Sequence, residues 1–252
     1  MSGSSRVGVA GVFRTGLWRG WKALRANALP GVVLWVVAAA IVAGYFAVEP
    51  VTGAMDALGG VKERYGFLYS AASTVVFGAA IPWVVTRWRL GARGQGRASF
   101  ALLLAVFWAV KGVEIDLLYR VQAWVWGTGN DAATVAAKVA TDMLVYMPWW
   151  AVPTTVAAYA LERHDYSVGR WWRSLDGRWV GREVVPIVVA NWAVWVPAVA
   201  GIYVLPLALQ IPMQNLVLCL WALMLIFMID EGAETEGDAE DVAGDAASRG
   251  AS

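Results

Sequence analysis

The chain has 252 residues, 59% of them hydrophobic and only 15% charged, with a mean hydropathy of +0.56 and a net charge of +1. Soluble domains carry about a quarter charged residues, so this composition lacks the polar surface a water-soluble globule needs and specifies an integral membrane protein. The near-neutral total gives no support to a nucleic-acid partner. The single His164 leaves no histidine-built metal or haem site, and the single Cys219 no intramolecular disulfide, so no metal or other cofactor is expected.

In chain order, residues 1–29 form a basic amphipathic segment free of acids. Arg6, Arg14, Arg19, Lys22 and Arg25 accompany Val9, Val12, Phe13, Leu17, Trp21 and Leu24 at helical spacing. The pattern predicts an interfacial helix with a positive cytoplasmic flank, although its composition also resembles an organellar targeting segment. The apolar run that follows is full-length, so no cleaved secretory signal is expected. Residues 30–229 then read as an all-α bundle of six transmembrane helices with short loops, at about 30–48, 67–86, 98–126, 138–160, 184–205 and 207–229. Strand alternation is absent, which excludes a β-barrel reading.

The connectors sort by charge. Arg87, Arg89, Arg93 and Arg97 follow the second span, and Arg163, Arg170, Arg173, Arg178 and Arg182 follow the fourth, whereas 49–66 and 127–137 are nearly neutral loops. Positive charge stays inside, so both termini are expected to be cytoplasmic, and the regular alternation favours a bacterial plasma membrane over an organellar inner membrane. Residues 230–252 are acidic, small and free of aromatics, a composition that predicts a disordered tail. Sixteen tryptophans, several flanking the apolar runs, predict an interfacial belt and packing between helices.

Polar groups inside the spans are the candidates for function. In the third span, Lys111 and Glu114 stand three apart, Asp116 and Arg120 four apart, and the two pairs point to nearly opposite sides. Charges at membrane depth cost several kcal/mol unless paired, so these four read either as a polar pathway or as pairs that hold helices together. In the fourth, Lys138, Asp142 and Tyr146 recur every four residues ahead of Pro148. That spacing predicts a Lys138–Asp142 ion pair or aqueous access to Asp142. The closing stretch "NWAVWVPAVAGIYVLPLALQIPMQNLVLCLW" is apolar but interrupted by Asn191, Gln210, Gln214 and Asn215 and by three prolines. It predicts a helical hairpin around Pro206–Pro212 whose carboxamides serve the bend.

The order of these signals resembles the peroxisomal and mitochondrial inner-membrane protein family, mainly over residues 138–229. Lys138, Asp142 and Pro148 stand at that family's separations, Asn191-Trp192-x-x-Trp195 with Pro197 is similar to its aromatic segment, and Pro206, Gln210, Asn215 and Trp221 match its closing pattern in spacing. Gln210 stands where the family has a basic residue, and Pro197 follows Trp195 by two positions rather than one. The resemblance implies a channel or permeability factor for small molecules or metabolites. Lys138, Asp142, Asn191, Gln210 and Asn215 would then line or gate the pathway. The alternative is a structural or assembly subunit of a larger membrane complex, and an enzymatic role for Glu114 and Asp116 is not expected. The lipid bilayer is the expected partner; a homo-oligomer and membrane-complex partners stay open.

Overall fold

A computed structural model of the chain describes residues 9–26, 28–90, 98–176 and 178–222. Among them every regular element is helical: α1 (Val9–Ala26), α2 (Ala28–Ala47), α3 (Glu49–Val75), α4 (Ile81–Leu90), α5 (Ala98–Trp126), α6 (Ala132–Ala140), α7 (Val152–Arg163), α8 (Val168–Ser174), α9 (Val185–Val204) and α10 (Leu207–Ala222). Three π-helical segments are present among the described residues: Val76–Ala80 and Thr141–Ala151 join neighbouring helices without a loop, and Val180–Val184 runs directly into α9. The tail 230–252 and the basic run 91–97 lie outside the described residues.

The expected loop at 49–66 is instead the first arm of α3. Glu49 stands in its first turn and Pro50 at its start, where a missing N–H and a fixed φ suit a helix N-terminus. Gly66, at φ 52° and ψ −127°, breaks α3 sharply, and the apolar run expected as the second span begins at the next residue. That backbone conformation is closed to residues with a Cβ.

The burial pattern of α3 is inverted. Its buried face carries Gly59, Lys62, Ser70 and Thr74, while Leu58, Val61, Phe67 and Leu68 are exposed. α5 repeats this: Lys111, Asp116 and Gln122 are buried, and Leu102, Val106, Val110, Leu117 and Trp124 are exposed. The expected third span coincides with α5, one continuous helix. By length and composition, the run Glu49–Trp88 is the one described helix long and apolar enough to cross a membrane. The pair Val180–Trp192 and Val194–Val204, bent by 56°, is a second candidate, and Gly31–Ala47 and Leu207–Ala222 are apolar but shorter.

Three glycine contacts fix the frame. A Cβ on Gly112 of α5 would lie 2.2 Å from the Ser70 carbonyl oxygen of α3, so these backbones touch. A Cβ on Gly16 of α1 would lie 2.2 Å from the Gly181 carbonyl oxygen, and one on Gly20 would lie 2.7 Å from Val189 Cβ. Gly16 and Gly20 form a small-xxx-small stripe that seats α1 on the Val180–Val184 turn and α9. The N-terminal segment is therefore packed against the bundle through its glycines, with Leu17, Trp18 and Trp21 turned outward. α10 lies at the centre, buried on all sides from Leu209 to Asn215.

Near the prolines, side chains donate to backbone carbonyls. Pro148 sits inside the π-helical segment, where the i→i+5 register would have residue 148 donate to the Met143 carbonyl. Proline has no N–H, and the Trp192 indole donates to that oxygen instead at 2.9 Å. Pro197 stands four residues after Ala193, at the 56° bend of α9; Trp35 Nε1 donates to the neighbouring Val194 carbonyl at 3.0 Å. At the α9–α10 break, Leu205 is extended, and Gln210 Nε2 donates to its carbonyl at 3.1 Å.

Candidate functional site

The charges on α5 separate as their helical spacing requires. Asp116 has no exposed surface and accepts from three donors: Lys62 Nζ at 2.9 Å, Ser70 Oγ at 2.7 Å and Arg120 Nε at 3.0 Å. The Asp116–Arg120 pair is present, and it is joined by Lys62 from the segment expected as a loop. On the other side of α5, Lys111 Nζ donates to Glu114 at 2.7 Å, and the Tyr146 hydroxyl donates to the same carboxylate.

Lys111 faces a cavity of about 680 Å³ walled by the Val76–Ala80 segment, α4, α5, the Thr141–Ala151 segment, α7, α9 and α10. Its walls are mostly apolar and aromatic, among them Trp83, Phe100, Trp108, Trp195 and Trp221. The lining of α5 runs from Phe100 to Tyr119, and at the Tyr119 end the polar groups converge: Asp142 and Gln214 line it as well. Behind them, Gln122 and Tyr203, which are not among the lining residues, extend a hydrogen-bonded network. Gln122 Nε2 donates to the Tyr203 hydroxyl at 2.6 Å, and Tyr203 donates to Asp142 Oδ2 at 2.9 Å. Tyr119 donates to Gln214 Oε1 at 2.9 Å, and the Tyr119 and Tyr203 rings meet edge to face with centroids 5.3 Å apart.

The expected Lys138–Asp142 ion pair does not form. Lys138 is 1% exposed, yet among the described residues no carboxylate pairs with its ammonium, which sits 5.7 Å from the centroid of the Tyr203 ring. The four-residue spacing presumed α-helical stacking, but from Thr141 the chain turns in the wider π register, and Asp142 meets Tyr203 instead.

Of the five residues expected along a pathway, Asp142 and Asn191 line the cavity and Lys138, Gln210 and Asn215 do not. The Asn191 amide makes no hydrogen bond among the described residues and lines the cavity. Gln210 serves the α9–α10 break. Asn215 ties α10 to α3, accepting from Thr74 Oγ1 at 2.9 Å and donating to Ser73 Oγ at 2.8 Å. Sequence reasoning missed Lys62, Ser70, Gln122 and Tyr203, whose partners are distant in sequence. The glycine stripe of α1 was signalled by Gly16-Leu-Trp-Arg-Gly20. Among the described residues no cluster of three or more His, Cys, Asp or Glu side chains could hold a metal ion. Comparison with family models, with curated proteins and with solved structures finds no match to this chain.

Proposed function

We propose that the chain is a six-span helical membrane protein with both termini cytoplasmic, and that it passes small molecules through the tryptophan-walled cavity. The inverted burial of α3 and α5 supports the membrane placement: lysine, aspartate and glutamine face inward, and the outward faces are leucine, valine and phenylalanine, as a hydrocarbon solvent selects. The spacing of Lys138, Asp142, Pro148, Asn191, Trp192 and Trp195 supports kinship with the peroxisomal and mitochondrial inner-membrane protein family, and through it a channel or permeability role.

The observation that carries the reading is the cavity itself, apolar along its length and ending in Asp142, Gln214 and the Tyr119–Tyr203 ring pair. In the proposed channel the ring pair is a closed gate. Flux of small solutes from loaded liposomes tests the proposal, comparing wild type with Tyr203→Ala and Asp142→Asn. Removing the Tyr203 ring opens the gate and raises flux; background flux in all three proteins removes the channel reading.

The satisfied hydrogen bonds of Asp116 and Asn215 favour a second reading, a structural or assembly subunit, because such dry polar ties need no aqueous path. Stoichiometric foreign subunits retained in gentle detergent and weighed by native mass spectrometry support that reading, whereas a lone monomer or homo-oligomer argues against it.

A further inference from the structure

The proposed function leaves open what the cavity accepts, and its charged wall groups are few enough to decide the chemistry. Asp142 and Lys111 are the only charged side chains among the lining residues. Lys111 is neutralised in place, its ammonium 2.7 Å from Glu114. Asp142 has no such compensation. It is 6% exposed, one carboxylate oxygen accepts from Tyr203, and the other takes no hydrogen bond from the protein. The nearest cation along the chain, Lys138, lies behind the Tyr203 ring and outside the cavity lining. A buried carboxylate with a free oxygen facing an open volume lacks the partner that such groups ordinarily find.

The surroundings of that oxygen suit a cation. Tyr119, Tyr146 and Trp195 line the same cavity, and the Asn191 amide offers a carbonyl oxygen. The protein already places an ammonium group against one of these rings: Lys111 Nζ lies 5.8 Å from the Tyr146 ring centroid; beside the cavity, Lys138 Nζ lies 5.7 Å from that of Tyr203. Aromatic faces attract cations at such separations, and more strongly where water is excluded. A volume of about 680 Å³ lies within the range that holds drug-sized molecules, and its mostly apolar walls demand an apolar body.

We infer that the cavity is a binding site for a lipophilic organic amine, its ammonium held by Asp142 and its apolar body against the tryptophan walls. The inference rests on the cavity being a small-molecule site, as proposed above. An amine that enters neutral beside a protonated Asp142 reaches the same state, because one proton moving from the carboxyl to the amine forms the pair.

The test is equilibrium binding to the detergent-solubilised full chain of three probes that share one apolar body: naphthylethylammonium, naphthylethanol and naphthylacetate. The ammonium binds at least about tenfold tighter than the alcohol, the smallest effect expected of a charge-assisted hydrogen bond. In Asp142→Asn that preference falls to near unity while alcohol binding is retained, which shows that the variant is folded. Lys138→Gln keeps or strengthens the preference. Equal binding of ammonium and alcohol by wild type, or an ammonium preference that survives in Asp142→Asn, overturns the inference and leaves the cavity reading standing. A preference for the acetate overturns it in favour of Lys111. Binding of none of the three removes the inference and the small-molecule cavity together.

Discussion

Replacing Gly112 by alanine adds one methyl group where α5 crosses α3. Its Cβ would stand 2.2 Å from the Ser70 carbonyl oxygen, 2.6 Å from Thr74 Oγ1 and 2.8 Å from the Ser70 carbonyl carbon. Two of these atoms are backbone, so no rotamer change relieves the contact, and the helices must part by roughly 1 Å in a close-packed interior. Overpacking of this kind costs about 1–3 kcal/mol. The separation also stretches the 2.7 Å Ser70–Asp116 and 2.9 Å Lys62–Asp116 bonds, which come from α3 to a carboxylate with no exposed surface. Weakening the donors of a buried anion adds about 1–3 kcal/mol, so the total loss is about 2–6 kcal/mol. The matched control is Gly60→Ala, exposed on α3 with nothing within 4 Å of its added Cβ. There alanine stabilises by about 0.5–1 kcal/mol through helix propensity. Reversible unfolding in mixed detergent micelles measures both variants. If Gly112→Ala unfolds at the same denaturant fraction as Gly60→Ala, then the α3–α5 contact and the role assigned to Asp116 are both wrong.

Gly66→Ala has ample space, yet it is expected to destabilise by about 1–3 kcal/mol through its backbone conformation alone, measured in the same unfolding assay. Trp192→Phe keeps the apolar ring and removes the donor to the Met143 carbonyl. A loss of about 1–3 kcal/mol is expected, whereas no loss would mean that another group satisfies that oxygen. Asp131 caps α6 outside the expected spans, accepting from the Ala133 and Thr134 amides at 3.2 and 3.1 Å. Hydrogen bonding by Thr134, through side chain and backbone, holds its carboxyl below the usual carboxylate range. A folded pKa below the unfolded value contributes stability above the unfolded pKa, and that contribution is lost as pH falls through the folded one. Wild type should therefore lose its advantage over Asp131→Asn across the acid end of the unfolding profile, where parallel profiles would refute the cap's electrostatic role.

Local periodicity made the pairs Lys111–Glu114 and Asp116–Arg120 legible, because residues three and four apart on an α-helix are neighbours whatever surrounds them. The same logic failed at Lys138 and Asp142, where Pro148 and the π register change the turn that the spacing presumed. Residues 49–66 read as a loop because Asp56, Gly59, Gly60, Lys62, Glu63 and Arg64 give them a polar composition, although Pro50 behind Glu49 was a helix-start signal. Lys62 joins Asp116 only through tertiary packing that no local window contains. The hairpin role of Gln210 was readable, since a carboxamide four residues after a proline break has a freed carbonyl within reach. The cavity was not, because its walls come from seven segments spread between residues 78 and 222.

The seat of α1 sets an order on synthesis. Gly16 and Gly20 are made long before the surface they fit, Gly181 to Val189. The bond from Trp35 to Val194 likewise spans 159 residues. Until that late stretch emerges, α1 has no surface shaped to its glycines, and contacts so distant in sequence close slowly. A nascent chain stopped before residue 180 would hold a loose, protease-sensitive α1 that only the later stretch secures.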